Sequence, residues 1–325
     1  MSSATLTCGA ATSPRAITDA QQWPFEISTL GPVGAQITGV DLAQPVGAEL
    51  FASLYGAFLA HQVLLFRDQD IPPARQVDFA RHFGEVQIHV MNQYHAGDYP
   101  QLYTLSNLDA AGNPSGQHPD RGTLAWHTDG SWKQRSGQAT IMYSDEVPAE
   151  GGETHFCDMY AAWAALSPAR QQQLLPLRAI HNLDFSRTRR HRIDLMTEQQ
   201  KRETPPVSQP VVRRHPDTHR IALYLGDHAQ TIEGMPYDEG RELVEAINAA
   251  AIDSSRTYEH RWRAGDLIVW DNRALQHRAT EYDAATVRRV MRRCTVIGEQ
   301  PIAARELPVP TTQDGDGDGE RHENH

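Results

Sequence analysis

LAWHTDGSW, residues 124–132, sets a histidine and an aspartate two positions apart in a run that contains two tryptophans. In a β-strand, residues i and i+2 project from the same face, so His127 and Asp129 can point at one ion if this segment is extended. Proline occupies the middle position, which favours a turn, in the other His-x-Asp pairs, His118/Asp120 and His215/Asp217. The His127 pair is therefore the best candidate for part of a metal site.

A second segment can supply a third ligand. DLIVWDNRALQHRAT, residues 266–280, is typical of an apolar strand that leads to His277. Two histidines and one carboxylate on one face of an octahedral ion form the facial triad of non-haem Fe(II) oxygenases. Alternatives stay open: the first pair can be an ordinary hydrogen-bonded strand pair, and His277 a polar residue beyond a strand end. Other histidines also remain candidates for the third ligand, namely His155, His181 and His260.

Short β segments dominate the central part of the chain. Segments rich in β-branched and aromatic residues predict strands at 25–30, 35–42, 62–68, 101–108, 139–147, 220–225, 257–262, 266–271 and 288–297. Helical periodicity or capping residues predict helices at 47–62, 73–84, 166–175 and 237–250. Because strands and helices do not alternate, the pattern favours a mainly β fold, a sandwich or jelly roll with flanking helices, over a doubly wound sheet.

Long segments and both chain ends have a different composition. Residues 85–123 and 184–216 are turn-rich, and loops of that length are usually functional, lids among them, or disordered. We expect residues 1–20 to be loose and the acidic, glycine-rich residues 306–325 to be a disordered tail. Residues 21–305 then form a single domain.

The overall composition narrows the class of protein. The 325 residues carry a formal net charge of −11 with only two lysines, Lys133 and Lys201, so we expect no nucleic-acid partner. The start of the chain lacks a signal-like pattern, and no apolar run reaches about 18 residues, so we expect no membrane segment and a cytoplasmic location. The scattered Cys8, Cys157 and Cys294 predict free thiols.

An arginine-rich strand follows the third candidate ligand. VRRVMRRCTVI, residues 287–297, contains four arginines within six positions. A period of two puts Arg289 and Arg293 on one face and Arg288 and Arg292 on the other. Two same-face arginines four apart lie roughly 13 Å apart along a strand, far enough to bind two different anions. The alternative is a solvated basic edge strand.

Several blocks between about Phe25 and Val296 resemble, in content and in order, those of the taurine dioxygenase family of Fe(II)- and 2-oxoglutarate-dependent oxygenases, especially the branch that cleaves 2,4-dichlorophenoxyacetate. The blocks are ITGVDL, VLLFRDQ, FARHFG, WHTDGSW, VPAEGGETHFCDMYAAWAALS, YLGDHAQTIEGMP, HRWRAGDLIVWDNRALQHRA and RRVMRRCTV. The resemblance implies a double-stranded β-helix, a cupin-like jelly roll, with outer helices and a long lid loop. It also implies Fe(II), 2-oxoglutarate and O2 as the cofactor and cosubstrates.

The resemblance implies roles for individual residues. His127, Asp129 and His277 are similar to the iron ligands of the family, and Thr154 is similar to the threonine that helps to bind 2-oxoglutarate. Arg289 looks like the arginine that pairs with the distal carboxylate of 2-oxoglutarate.

The expected substrate is a small anionic organic molecule. Arg293 looks like the arginine that contacts the anionic group of the substrate. The interval from His277 to these arginines is one residue longer than in the family, which keeps Arg288 and Arg292 open as alternatives. Candidate residues for the rest of the substrate pocket lie in residues 84–97: His89, Asn92, Gln93 and Tyr94.

The implied reaction is hydroxylation of a C–H next to a heteroatom, with release of succinate and CO2 and often with cleavage of the substrate. An aryloxyalkanoate-like ether, a sulfonate or a sulfate ester would fit such a reaction, and we expect a homo-oligomer. Two alternatives compete with this hypothesis. One is a metal-dependent hydrolase on the same fold, because catalytic zinc also accepts two histidines and a carboxylate. The other is a metal-free binding protein.

Overall fold

The computed structural model of the protein describes residues 23–190 and 195–304. The strands are β1 (Glu26–Thr29), β2 (Ala35–Thr38), β3 (Val63–Phe66), β4 (His95–Ala96), β5 (Tyr99–Ser106), β6 (Gly137–Glu146), β7 (Thr154–Asp158), β8 (Arg178–His181), β9 (Val207–Pro210), β10 (Val212–Arg214), β11 (Ile221–Leu223), β12 (Ala229–Ile232), β13 (Thr257–His260), β14 (Leu267–Asp271), β15 (Leu275–Ala279), β16 (Val290–Ile297) and β17 (Ile302–Ala303). The helices are α1 (Ala48–His61), α2 (Pro73–Phe83), α3 (Met159–Ala164), α4 (Pro168–Leu174), α5 (Leu183–Arg190), α6 (Glu198–Glu203) and α7 (Tyr237–Ala251).

The largest sheet has eight strands in the order β1-β2-β3-β14-β6-β16-β5-β4. In its centre, β14 pairs with β3 and β6, and β16 pairs with β6 and β5, all antiparallel. Because side chains alternate across a strand, each central strand presents one set of residues to each face of the sheet.

Helices α1 and α2 cover the outer face of this sheet. Leu64 and Phe66 of β3 share a buried cluster with Phe58 of α1 and with Phe79 and Phe83 of α2. The rings of Phe58 and Phe83 meet edge-on with centroids 5.2 Å apart, an arrangement that aromatic pairs prefer. The apolar stripes of both helices are thus buried against the strands.

The inner face packs against a second sheet. Leu65 of β3 and Trp270 of β14 belong to one buried cluster with Phe156 of β7 and Leu275 of β15. Strands β7 and β15 lie in a three-stranded sheet of order β13-β7-β15. Two sheets that enclose one core, with helices outside, form the jelly roll, and the prediction of a mainly β fold with flanking helices is confirmed.

A third group of elements packs behind the smaller sheet. Two further three-stranded sheets, of order β12-β8-β9 and β11-β10-β17, share a buried cluster with α3 and α7. Among the helices of the described ranges, none combines the length and the apolar character that crossing a membrane requires. Cys157 and Cys294 are buried free thiols, as expected, and Cys8 lies outside the described residues.

The structure corrects one prediction about the organisation of the chain. The turn-rich segment 184–216 is not an irregular loop, because it holds most of α5 together with α6, β9 and β10 on either side of residues 191–194, which are not described. Strands such as β9 (VSQP) are short and polar, and such segments become regular through pairing with neighbours more than through their own propensity. A lid function for this segment stays a prediction.

The four predicted helices are confirmed as α1, α2, α4 and α7. Several strands went unpredicted, among them β7, β8, β12 and β15. The predicted loose N-terminal segment, residues 1–20, and the predicted acidic tail, residues 306–325, lie outside the described residues. The assignment of residues 21–305 to a single domain also stays a prediction.

Packing of α1 against the large sheet predicts a strong effect of truncating its central aromatic residue. Phe58 is fully buried, so Phe58→Ala should lower the free energy of unfolding by about 3–5 kcal/mol, measured by urea denaturation. As a control, Tyr237→Ala removes an aromatic side chain that is 49% exposed and should change the free energy of unfolding by no more than about 0.5 kcal/mol. Equal losses in the two variants would contradict this packing.

Candidate metal centre

Three buried side chains converge at one end of the jelly-roll core. The ligand atoms of His127, Asp129 and His277 lie within 4.8 Å of one another. Nε2 of His127 is 3.7 Å from Oδ1 of Asp129, and Nε2 of His277 is 3.7 Å from Oδ2. No other group of three such residues in residues 23–190 and 195–304 comes this close together. The structure thus assembles the predicted set and leaves His155, His181 and His260 outside it.

Backbone pairing sets the two histidines side by side. His127 forms an isolated antiparallel bridge to His277 of β15, with N–H···O distances of 3.0 and 2.9 Å in the two directions. Residues directly opposite each other on antiparallel strands project from the same face. The ring centroids of His127 and His277 lie 4.2 Å apart as a result.

The expectation of a strand through Asp129 is wrong. Only His127 is in bridge conformation, and the chain turns at Asp129 and Gly130. Gly130 has φ +71°, a conformation that favours glycine, and a Cβ there would lie 2.7 Å from the backbone nitrogen of Gly137. The turn instead brings the Asp129 carboxylate between the two imidazoles, so the site forms without the predicted strand.

Hydrogen bonding orients the first imidazole for a metal. Nδ1 of His127 lies 2.8 Å from the carbonyl oxygen of Ala125, to which it can only donate. The proton is therefore on Nδ1, and Nε2 presents its lone pair to the site. Partners of this kind fix the tautomer of metal-binding histidines.

The electrostatics of the cluster favour the metal-binding protonation state at Asp129 and His277. Burial opposes ionisation of Asp129, but the Arg293 guanidinium and the two imidazoles outweigh it and hold the pKa of the carboxyl well below its usual range. Burial, reinforced by the nearby His127, holds the pKa of His277 well below its ordinary value. Burial opposes protonation of His127, but the Asp129 carboxylate outweighs it and raises the pKa of this imidazole. A metal ion is coordinated by an ionised carboxylate and neutral imidazoles, so a divalent cation bound here would displace the proton from His127.

Side-chain alternation along β16 and the two residues before it separates the four arginines into two pairs. Met291 packs into the inner core, and Arg289 and Arg293 share its face of the strand. Arg292 points to the helical side, where its Nε donates to Asp145 at 2.8 Å. Arg288 is exposed and pairs with Glu146. The face predicted for the two anion-binding arginines is the one that faces inward.

Arg289 is a buried cation without an ion pair among the described residues. Its side chain is only 3% exposed, its nearest acceptor is the carbonyl oxygen of Gly152 at 3.4 Å, and burial lowers the pKa of its guanidinium. Gly152 has φ +71°, and a Cβ there would lie 3.0 Å from Nε of Arg289. A buried charge of this kind is costly unless it is paired, so the environment of Arg289 suits the carboxylate of a ligand.

Thr154, two residues beyond Gly152, has a hydroxyl whose orientation is constrained. The indole nitrogen of Trp262 lies 2.9 Å from its Oγ1, and an indole can only donate. The threonine proton must therefore point elsewhere, and the hydroxyl can offer it to an acceptor such as a carboxylate. No sequence pattern indicated Trp262, which follows β13 in an irregular segment.

A cavity beside the metal cluster holds the predicted substrate arginine. Arg293 donates from Nη1 to Oδ1 of Asp129 at 3.2 Å and lies over the ring of Tyr103 at 4.8 Å. His89 lines the same cavity, and burial, with the charge of Arg293 second, lowers its pKa to about 3, so it is neutral at neutral pH. Tyr94 stacks on Tyr103 at 4.8 Å, while the side chain of Asn92 is outside what the structure describes.

Sequence reasoning missed much of the cavity wall. The lining residues that were not singled out as pocket residues include Asp120, Trp132, Arg187, Asp227 and His228. Arg187 belongs to α5, in the segment expected to be a loop, and its Nη1 lies 4.0 Å from Asp120. Burial lowers the pKa of His228 to about 4. Arg187 could have been identified as a cavity residue only by predicting α5, and that helix was not predicted.

Comparison with known proteins gives concordant matches. The profile of the family described as "Taurine catabolism dioxygenase TauD, TfdA family" matches residues 26–295. The alpha-ketoglutarate-dependent 2,4-dichlorophenoxyacetate dioxygenase of Cupriavidus pinatubonensis is 34% identical over 82% of this chain and 96% of its own length. The (S)-phenoxypropionate/alpha-ketoglutarate-dioxygenase of Delftia acidovorans is 33% identical over 81% of this chain and 91% of its own.

A solved structure agrees with this assignment. The crystal structure of AAD-2 in complex with Mn(II) and N-oxalylglycine has a TM-score of 0.76 and 32% identity, covering 87% of this chain and 99% of that one. The family profile, the sequence relatives and this structural neighbour agree with one another, and the chain itself carries a two-histidine, one-carboxylate cluster. The chain therefore belongs to the TauD, TfdA family of alpha-ketoglutarate-dependent dioxygenases.

Proposed function

We propose that this dioxygenase binds Fe(II) through His127, Asp129 and His277 and hydroxylates a C–H next to a heteroatom in a small anionic substrate. The observation that carries the proposal is the combination of a buried two-histidine, one-carboxylate cluster with two buried arginines, Arg293 on β16 and Arg289 just before it. Such a cluster occupies one face of an octahedral ion and leaves positions for a cosubstrate and O2.

The cosubstrate proposal rests on two donors that the described residues leave available: Arg289, whose one hydrogen bond is the long contact with the carbonyl oxygen of Gly152 at 3.4 Å, and Thr154. Arg289 offers its buried guanidinium. Thr154 offers its hydroxyl proton, which cannot point at Trp262 because the indole N–H is itself a donor. Together they suit the distal carboxylate of 2-oxoglutarate, because guanidinium and hydroxyl groups form charge-assisted hydrogen bonds to carboxylates. With Fe(II) bound, 2-oxoglutarate and O2 would supply the oxidation, giving succinate, CO2 and a hydroxylated substrate.

The substrate proposal rests on Arg293. Its guanidinium has five N–H donors, and the structure records one hydrogen bond from it, to Asp129, so donors remain for an anion in the cavity. Neutral His89 adds a possible hydrogen-bond donor on the same wall. The named substrates of the two sequence relatives are both aryloxyalkanoates, which supports such an ether ahead of a sulfonate or a sulfate ester. Hydroxylation of the ether carbon would give a hemiacetal or hemiketal that collapses to a carbonyl compound and a phenol.

The metal-dependent hydrolase has no support from the comparisons, and hydrolysis would leave the buried Arg289 without a role. Two finer expectations also belong to the proposal. One is a homo-oligomer, which light scattering of the purified protein would test. The other is a cytoplasmic location, which fractionation of the source cells would test.

Activity should depend on His277 and not on a histidine outside the cluster. The protein is assayed with Fe(II), 2-oxoglutarate and, in turn, 2,4-dichlorophenoxyacetate, (S)-2-phenoxypropionate, an alkyl sulfate and taurine. At least one of these four compounds should stimulate succinate formation, and an ether substrate should also release its phenol. His277→Ala should abolish the stimulation, because a ligand is lost. The control is His155→Ala, whose ring pairs with Glu259, and it should keep most of the activity. Stimulated succinate formation by His277→Ala would contradict the metal assignment.

The two faces of β16 should differ in their effect on cosubstrate binding. Arg289→Ala should raise the KM for 2-oxoglutarate about 10- to 100-fold, the effect of losing a hydrogen-bonded charge pair, with little change in the KM for the anionic substrate. Arg292→Ala removes a neighbouring arginine from the opposite face and should leave the KM for 2-oxoglutarate within about twofold. Steady-state kinetics on both variants makes the comparison. A larger effect in Arg292→Ala would assign the cosubstrate role to the other face.

A further inference from the structure

A chain of four buried polar groups runs from the core of the jelly roll to the Asp129 carboxylate. Nε1 of Trp270 donates to Oδ1 of Asn272 at 3.0 Å, and Nδ2 of Asn272 donates to Oγ1 of Thr140 at 2.9 Å. Oγ1 of Thr140 in turn lies 2.8 Å from Oδ2 of Asp129. All four residues are buried, so water does not compete for these hydrogen bonds.

The direction of every hydrogen bond in this chain is fixed by its first member. An indole N–H can only donate, so the oxygen of the Asn272 amide must face Trp270. The same oxygen accepts from the backbone N–H of Asp129 at 3.3 Å, which requires the same amide orientation. The NH2 group therefore faces Thr140 and occupies a lone pair of its hydroxyl oxygen. The proton between Thr140 and Asp129 is therefore that of the Thr140 hydroxyl, which donates to the Asp129 carboxylate.

The Asp129 carboxylate is thereby held at both oxygens by protein donors. Thr140 donates to Oδ2, and Arg293 donates to Oδ1 at 3.2 Å. Both donors stand on the large sheet, Thr140 on β6 and Arg293 on β16, but of the two only Arg293 lines the substrate cavity. Thr140 therefore restricts the rotation of the carboxylate independently of what occupies the cavity.

We propose that Asn272 and Thr140 are positioning residues for the metal-binding carboxylate. They restrict the rotation of the Asp129 side chain through hydrogen bonds, and they carry no charge themselves. The inference rests on the metal role proposed above for Asp129, and it adds two residues that contact neither metal nor substrate. Hydrogen-bonding partners of metal ligands of this kind typically change metal affinity by about 10- to 100-fold when removed.

The test is Co(II) binding to the full-length protein without cosubstrate, followed by the visible spectrum of the bound ion. Thr140→Val keeps a β-branched side chain of similar shape and deletes only the hydroxyl. It should raise the Kd for Co(II) about 10-fold or more and shift the spectrum. Thr140→Ser retains the hydroxyl and should restore both. Asn272→Asp replaces the NH2 donor by an acceptor that competes for the Thr140 proton, and it should also weaken Co(II) binding.

A matched control separates positioning from a general loss of stability. Ser144 lies on the same strand as Thr140, and its hydroxyl donates to the carbonyl oxygens of Arg263 and Asp266 at 2.6 and 3.2 Å. Ser144→Ala should lower the free energy of unfolding and leave the Kd for Co(II) unchanged.

Several outcomes would overturn the inference. They are wild-type Co(II) affinity in Thr140→Val, no recovery in Thr140→Ser, or equal weakening in Ser144→Ala. Absence of Co(II) binding by the wild-type protein would instead overturn the metal assignment itself, and the inference with it.

Discussion

The antiparallel pairing of His127 with His277 is the constraint on which the rest of the site depends. Two backbone hydrogen bonds join an otherwise irregular segment to β15, and they place the two imidazoles on the same face. Asp129 then needs only the turn at Gly130 to reach the space between them. The metal centre therefore lies at the edge of the sheet β13-β7-β15, where the segment that contains His127 pairs with β15.

The alternation of side chains on the large sheet arranges the remaining chemistry. Because Met291 must be buried in the inner core, Arg289 and Arg293 must also face inward, and neither can reach the acids that pair with Arg288 and Arg292. Two buried cations on one face, of which Arg293 lines the cavity, can bind two different anions. The same sheet supplies Thr140, so one scaffold orients the ligand carboxylate and the anion-binding groups together.

Much of this arrangement is visible in the sequence because it rests on local periodicity. The four-residue spacing of Arg289 and Arg293 follows from side-chain alternation. The two-residue spacing of His127 and Asp129 identified the ligand pair, but a backbone bridge and a turn, not strand alternation, bring these two side chains together. The four helices were predictable for the same reason, since their apolar stripes or capping residues are continuous in sequence.

Residues defined by long-range contacts were not predictable. Trp262, just after β13, donates to Thr154 on β7. Asn272, just after β14, donates to Thr140 on the neighbouring strand β6, which is far away in sequence. Arg187 reaches the cavity on a helix in a polar segment. No periodic pattern marks such contacts, because each depends on how elements far apart in sequence pack. Short polar strands such as β9 escaped prediction because pairing, not composition, makes them regular.

The central claim is that this protein binds Fe(II) and 2-oxoglutarate together at one site, and anaerobic difference spectroscopy tests it most directly. The protein is first given Fe(II), with the bound iron quantified, and then 2-oxoglutarate. The account predicts a weak visible charge-transfer band that requires both components and shifts when the correct anionic substrate is added. Bound iron with no band on addition of 2-oxoglutarate would contradict it.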